Sequence, residues 1–197
     1  MFDYPDPRSH RRHGPAGYAS YGSYRPWLRD EFTFRCIYCL KREQWGQVTG
    51  EYDIDHFRPQ TCCPDLAADY PNLVYSCRRC NSVKLDQEVA DPFVGMIGVR
   101  IRTMPDGTVR GIDAVATRLI LQLDLNSPRL VQWRTMWSRI ADLARKRDQE
   151  LLRRLVGFPE NLPDLRRLRP PAGNTRPMGI AESWAALAKQ GKLPDRY

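Results

Sequence analysis

The chain has 197 residues, 42% of them hydrophobic, and a net charge of +8. That length suits one moderate domain with extensions, and the apolar share supports a packed core. No apolar run approaches the about 20 residues of a membrane span, and MFDYPDPRSHRRHG lacks the apolar stretch of a secretory signal, so no membrane association and an intracellular, cytoplasmic chain are expected.

Of the 31 basic residues, 26 are Arg. Arg favours bidentate contacts to phosphate and guanine, which points to a nucleic-acid partner; a solvated basic surface is the plain alternative. Residues 1–30 are rich in Tyr, Pro, Gly, Arg and Ser without helical or strand period. They read as an arm that is extended or lies on the body. The motif-bearing core occupies residues 31–92, and residues 93–197 read as a hairpin and helical extension packed on it.

Within the extension, residues 99–112 predict a β-hairpin turning at Pro105-Asp106-Gly107. A helix is predicted over 113–123. A longer helix follows Ser127, an N-cap residue type, with Pro128 at the first helical position. Its apolar stripe is Leu130, Trp133, Trp137, Ile140, Leu143 and Ala144. Its other face carries Arg134, Arg139, Arg145, Lys146 and Arg147, either solvated or touching phosphate. Pro159, Pro163, Pro170 and Pro171 interrupt the next segment, and a last helix is predicted over 180–190, stopped by Gly191.

Two CxxC pairs, Cys36-Ile-Tyr-Cys39 and Cys77-Arg-Arg-Cys80, bracket the core. Each knuckle aims two thiolates at one point, and two knuckles complete the S4 shell that Zn²⁺ prefers. The rivals are a redox dithiol, which needs only one such pair, and a disulfide framework, which does not suit an intracellular chain of this length. A closed S4 zinc has no open coordination position, so it holds the fold and does no chemistry. Cys62-Cys63 read as ordinary thiols in a loop.

Between and after the knuckles stand Asp55, His56, Asn72, Asn81 and Lys84. Asp55 offers an anionic oxygen and Asn81 an amide oxygen. Such hard donors suit Mg²⁺ or Mn²⁺, which leaves His56 to act as a general base. Taken singly, each has a bland role: a turn cap, a structural histidine, a turn residue, a helix N-cap, a surface lysine.

The ordered set CIYC, DIDHFRP and NLVYSCRRCNSVK resembles the HNH, or ββα-metal, endonucleases stapled by a four-cysteine zinc, over about residues 34–86. The resemblance implies an α+β fold: a zinc-stapled ββα core, here with an added hairpin and a mainly helical C-terminal region. It implies metal-dependent hydrolysis of phosphodiester bonds in DNA. His56 matches the general base, Asp55 a ligand of the catalytic Mg²⁺ or Mn²⁺, and Asn72 the residue that holds the base's loop. Asn81 stands at the last position of an H-N-N variant as catalytic residue and metal ligand, opening the helix with Cys80. Lys84 matches a basic residue that contacts phosphate. The stretch TCCPDLAAD departs from the glycine-containing loop of many relatives. The region from Asp91 to the long helix has a looser likeness to HNH proteins encoded beside ATPases in phage-defence systems. The alternative is a catalytically silent zinc module that binds nucleic acid, or a nuclease subunit whose specificity comes from a protein partner.

Overall fold

The computed structural model describes residue 2 and residues 11–45, 52–98 and 100–197. Alternation in YDIDH makes β1 (Tyr52–His56), which buries Tyr52 and Ile54. It pairs antiparallel with β2 (Leu73–Cys77), with His56 opposite Leu73 and Tyr52 opposite Cys77. All five residues of β2 are buried, as expected of a strand covered on both sides. β2 runs directly into α2 (Arg78–Lys84), whose N-cap is Cys77. Asn81 therefore lies a full turn inside α2 and does not cap it.

The arm is more ordered than its composition suggests. A 3-10 turn at Tyr21–Tyr24 leads into α1 (Arg25–Glu31), which packs against β2. Tyr24, Trp27 and Leu28 are buried at helical spacing. A seven-residue helix is too short to stand alone; tertiary packing carries it and overrides local composition. Residues 11–24 do lie on the body. The amides of Arg12 and His13 donate to the Glu31 carboxylate at 2.9 Å each. Buried Asp30 takes the Arg12 guanidinium at 3.0 Å and His13 Nε2 at 2.7 Å.

The extension begins with α3 (Pro92–Gly95), capped by the Asp91 carboxylate. The predicted hairpin is present as β3 (Ile101–Thr103) and β4 (Val109–Gly111); Val99 and residues 3–10 of the arm lie outside the described residues. Gly107 at its turn has φ +84°, a conformation that side chains resist. Asp113 caps α4 (Ala114–Gln122), on which β4 packs. Pro128 opens α5 (Pro128–Arg147), and α6 (Gln149–Val156) follows after Asp148, which caps it. The single predicted last helix is two short ones, α7 (Met178–Ala181) and α8 (Trp184–Lys189). Ser183 separates them because its hydroxyl caps the second.

One buried cluster runs from Phe2 through α1, both strands of the ββα unit, the hairpin and α4 to Leu165, so residues on both sides of positions 30 and 92 share a core. Trp45 stacks on Trp137 at 4.8 Å, joining α5 to it. Ala141, Ala144, Leu152 and Val156 make a smaller cluster between α5 and α6. Among the described residues no helix is long and apolar enough to cross a membrane.

The two faces of α5 are redistributed. Leu143 is exposed, whereas Arg134 is buried and donates to the carbonyls of Gly107 and Leu125. Periodicity cannot identify such a residue, because its aliphatic stem packs like an apolar chain while its head satisfies two carbonyls. Arg134→Ala strands two buried acceptors. It should cost about 2–4 kcal/mol in urea denaturation, against about 0.5 kcal/mol or less for exposed Arg147→Ala. Equal effects from the two variants would show that the Arg134 bonds carry no stability.

Candidate functional site

The four motif cysteines converge. Their sulfurs all lie within 4.8 Å of one another and all four residues are buried. Cys39 Sγ and Cys77 Sγ are 3.6 Å apart. A tetrahedral shell with Zn–S of about 2.3 Å requires sulfurs about 3.8 Å apart, so this donor set fits a structural ion such as Zn²⁺. Among the described residues it is the one group of three or more His, Cys, Asp or Glu side chains able to share an ion.

Local backbone builds the first knuckle. Leu40 donates to Cys36 O, Cys36 donates to Lys41 O, and Leu40 takes a positive φ of 61° to close the turn. Ile37 N–H donates to Tyr75 O, docking the knuckle on β2. Hydrogen bonds from Cys36, Cys39 and Cys80 hold the Cys77 thiol far below its ordinary range. Burial pushes Cys36 up, and hydrogen bonding to Cys36 and Cys39 pushes Cys80 up. Four thiolates this close repel one another, and a divalent cation is what lets them sit together.

His56, half-buried at the end of β1, is gripped from the loop beyond it. Its Nε2 lies 2.9 Å from Ala67 O. A carbonyl only accepts, so this contact is satisfied by a proton on Nε2. The Gln60 amide nitrogen lies 3.0 Å from Nε2 and 3.4 Å from Nδ1, and Tyr21 meets the ring edge-on at 4.9 Å.

Asn72 holds that loop closed. Its Oδ1 accepts from Arg58 N–H at 3.0 Å, and its Nδ2 donates to Arg58 O at 3.0 Å and Leu66 O at 3.2 Å. Its own carbonyl accepts from Phe57 N–H at 3.3 Å. One buried side chain therefore ties both ends of the segment between His56 and β2.

The carboxylates of β1 lie on the side of α2. Asp55 is buried; Tyr38 Oη donates to its Oδ2 at 2.5 Å, and Lys84 Nζ stands 3.2 Å from its Oδ1. Burial, with the Asp55 charge next, holds the Tyr38 phenol well above its ordinary value, so it stays a donor. Lys84 was expected to reach phosphate, but its side chain is fully buried and also donates to His56 O at 2.7 Å. Asn81 reaches neither Asp55 nor His56 by hydrogen bond among the described contacts; its Nδ2 lies 3.4 Å from Asp53 Oδ2. Arg78 Nε is 3.9 Å from the same oxygen and mostly exposed.

Asp53, Tyr38, Gln60 and Tyr21 went unread in the sequence. The D-x-D spacing on a strand was a usable signal for Asp53, since residues two apart share a face. Nothing in the pattern links Tyr38 to Asp55.

Two outcomes follow from this geometry. Purified protein should carry about one zinc per chain through dialysis, and Cys36→Ser or Cys77→Ser should lower Tm sharply, because the binding energy of a structural ion is folding energy. Fully folded protein free of zinc would refute the metal centre. Lys84→Met leaves Asp55 buried without its cation and should cost about 3–5 kcal/mol in denaturant melts, with Asp55→Leu in the same chain restoring part of it. A loss near that of a surface lysine would remove the ion pair from the folding problem.

No protein-family model, no curated protein and no solved structure matches this chain.

Proposed function

We propose that the chain is a metal-dependent endonuclease of the HNH type that hydrolyses phosphodiester bonds in DNA. The observation that carries this reading is the setting of His56. Its ring is held by the Ala67 carbonyl at Nε2, which turns Nδ1 into the nitrogen a base would use, at the edge of a ββα unit whose loop is clamped by Asn72. A structural histidine needs only satisfied nitrogens. A base needs one nitrogen held as a donor and the other kept as an acceptor.

In this reading Nδ1 of His56 takes the proton of the attacking water. The Ala67 carbonyl keeps the tautomer and stabilises the imidazolium as it forms. Asn72 keeps Ala67 where the ring needs it. Asp55 and Asn81, with Asp53 beside them, would hold Mg²⁺ or Mn²⁺. Two carboxylates and an amide are hard oxygen donors of the kind those ions take. Such a cation, when bound, offsets charge on the phosphate and the departing oxygen. Exposed Arg78, beside Asp53, would meet a phosphate oxygen in the same reading. Lys84 acts from inside, holding Asp55 and the His56 carbonyl together.

One observation favours the second reading, a silent zinc module that binds nucleic acid: both Asp55 oxygens are engaged, by Tyr38 and Lys84. A plasmid-nicking assay with Mg²⁺, Mn²⁺ or EDTA separates the two. Wild type should nick only with added cation. His56→Ala should lose about 10²–10⁴-fold in rate with DNA binding retained, since a base contributes to the chemical step and not to phosphate contacts. Near-wild-type nicking by His56→Ala would remove it as the base. Cation-independent binding without cleavage by wild type would favour the silent module.

A further inference from the structure

Two thiols outside the metal centre form a site of their own. Cys62 and Cys63 lie in the loop after His56, Cys62 exposed and Cys63 partly so. Their sulfurs are 3.0 Å apart, about 1 Å beyond a sulfur–sulfur bond. The backbone fixes that approach: the amides of both cysteines donate to Pro59 O, at 3.2 and 2.9 Å, and Cys62 Sγ donates to the same oxygen at 3.3 Å. Pro64 then starts a 3-10 turn that fixes the far side. The four metal-centre thiols, by contrast, are buried.

We propose that Cys62 and Cys63 are a reversible redox site, closed by a hydroperoxide into a vicinal disulfide. Cys62, the more exposed, meets the oxidant first. Its thiolate attacks one peroxide oxygen, the O–O bond breaks, and a sulfenic acid and one water result. Cys63 sulfur then attacks the sulfenic sulfur, forming the S–S bond and releasing the second water. Two thiols and one hydrogen peroxide give one disulfide and two waters. A neighbouring thiol that resolves the sulfenic acid protects it from further oxidation.

Reversibility follows from chain geometry. Neighbouring Cα atoms across a trans peptide are about 3.8 Å apart, below the roughly 4.4–6.8 Å that unstrained disulfides span, and the described residues contain no cis peptide. The closed form is strained, and strained, exposed disulfides are the easily reduced ones. Closure also pulls on the segment that carries Gln60 and the Ala67 carbonyl, both in contact with His56. An effect on nicking would rest on the proposed role of His56; the covalent chemistry does not.

The test uses the full chain with its zinc retained. It is treated with one equivalent of hydrogen peroxide, quenched with iodoacetamide and read by mass spectrometry. The expected product has lost the mass of two hydrogen atoms, placed on Cys62-Cys63 by fragmentation. Both thiols should resist alkylation until dithiothreitol is added, and Cys62→Ser and Cys63→Ser should not lose those hydrogens. Oxygen added to either sulfur of wild type without loss of hydrogen, a disulfide between chains, or a disulfide involving a metal-centre cysteine with zinc release would each overturn the proposal. Hydrogen loss that persists in either variant would do the same.

Discussion

Four sulfur atoms from two distant segments meet in one buried cluster, and most of the candidate site is positioned by that meeting. The first knuckle carries Tyr38 between its cysteines, so placing Cys36 and Cys39 also places the phenol that donates to Asp55. The second knuckle is the joint between β2 and α2. Placing Cys77 and Cys80 therefore sets where α2 leaves the sheet, and with it the positions of Asn81 and Lys84. An ion such as Zn²⁺ at this point would act far beyond its own ligands while doing no chemistry.

Several charged and polar side chains are buried in the interior as well. Asp55 pairs with Lys84, and Asp30 pairs with Arg12 and hydrogen-bonds His13, and these side chains are almost wholly shielded from water. Desolvation takes back much of what such pairs gain, so a buried pair by itself is weak evidence of net stability. Arg11 is buried too. Its guanidinium donates to Leu73 O at 2.8 Å and Pro71 O at 2.9 Å and sits among the rings of Phe32, Tyr70 and Phe93. A residue from the arm thereby fixes the entry into β2, immediately beside Asn72.

Much of this was legible in the sequence, for identifiable reasons. Paired CxxC spacing is a constraint of coordination geometry and survives any context, and the four thiols converge as it requires. The Pro-Asp-Gly turn and the Ser-Pro helix start are local signals, and the hairpin and α5 follow them. What stayed hidden depends on partners remote in the chain. α1 lies in a segment whose composition reads as irregular, and only packing on β2 makes it helical. Arg134 looked like a surface charge because its two carbonyl partners belong to other segments. Lys84 is matched to a phosphate contact by the resemblance alone, and its ion pair with Asp55, remote in the chain, has no sequence signal.

The placement of Asp55 and His56 side by side has a physical reading in the end of β1. Within a strand, neighbouring side chains leave on opposite faces, so an acid and a base adjacent in sequence are driven apart. Here the strand ends at His56, where pairing with Leu73 is the last of the ladder. Beyond it the chain is governed by Asn72, which takes both backbone groups of Arg58. The pleat thus fixes Asp55 toward α2, while the loop, through Ala67 O, fixes the ring of His56. Lys84 bonds to both residues, the carboxylate of one and the carbonyl of the other, and so links the two devices. A one-residue extension of the ladder would carry Phe57 and Arg58 into the pleat and take the loop that orients the ring of His56 away from Asn72. The position of the strand end is therefore as much a part of the site as the side chains themselves.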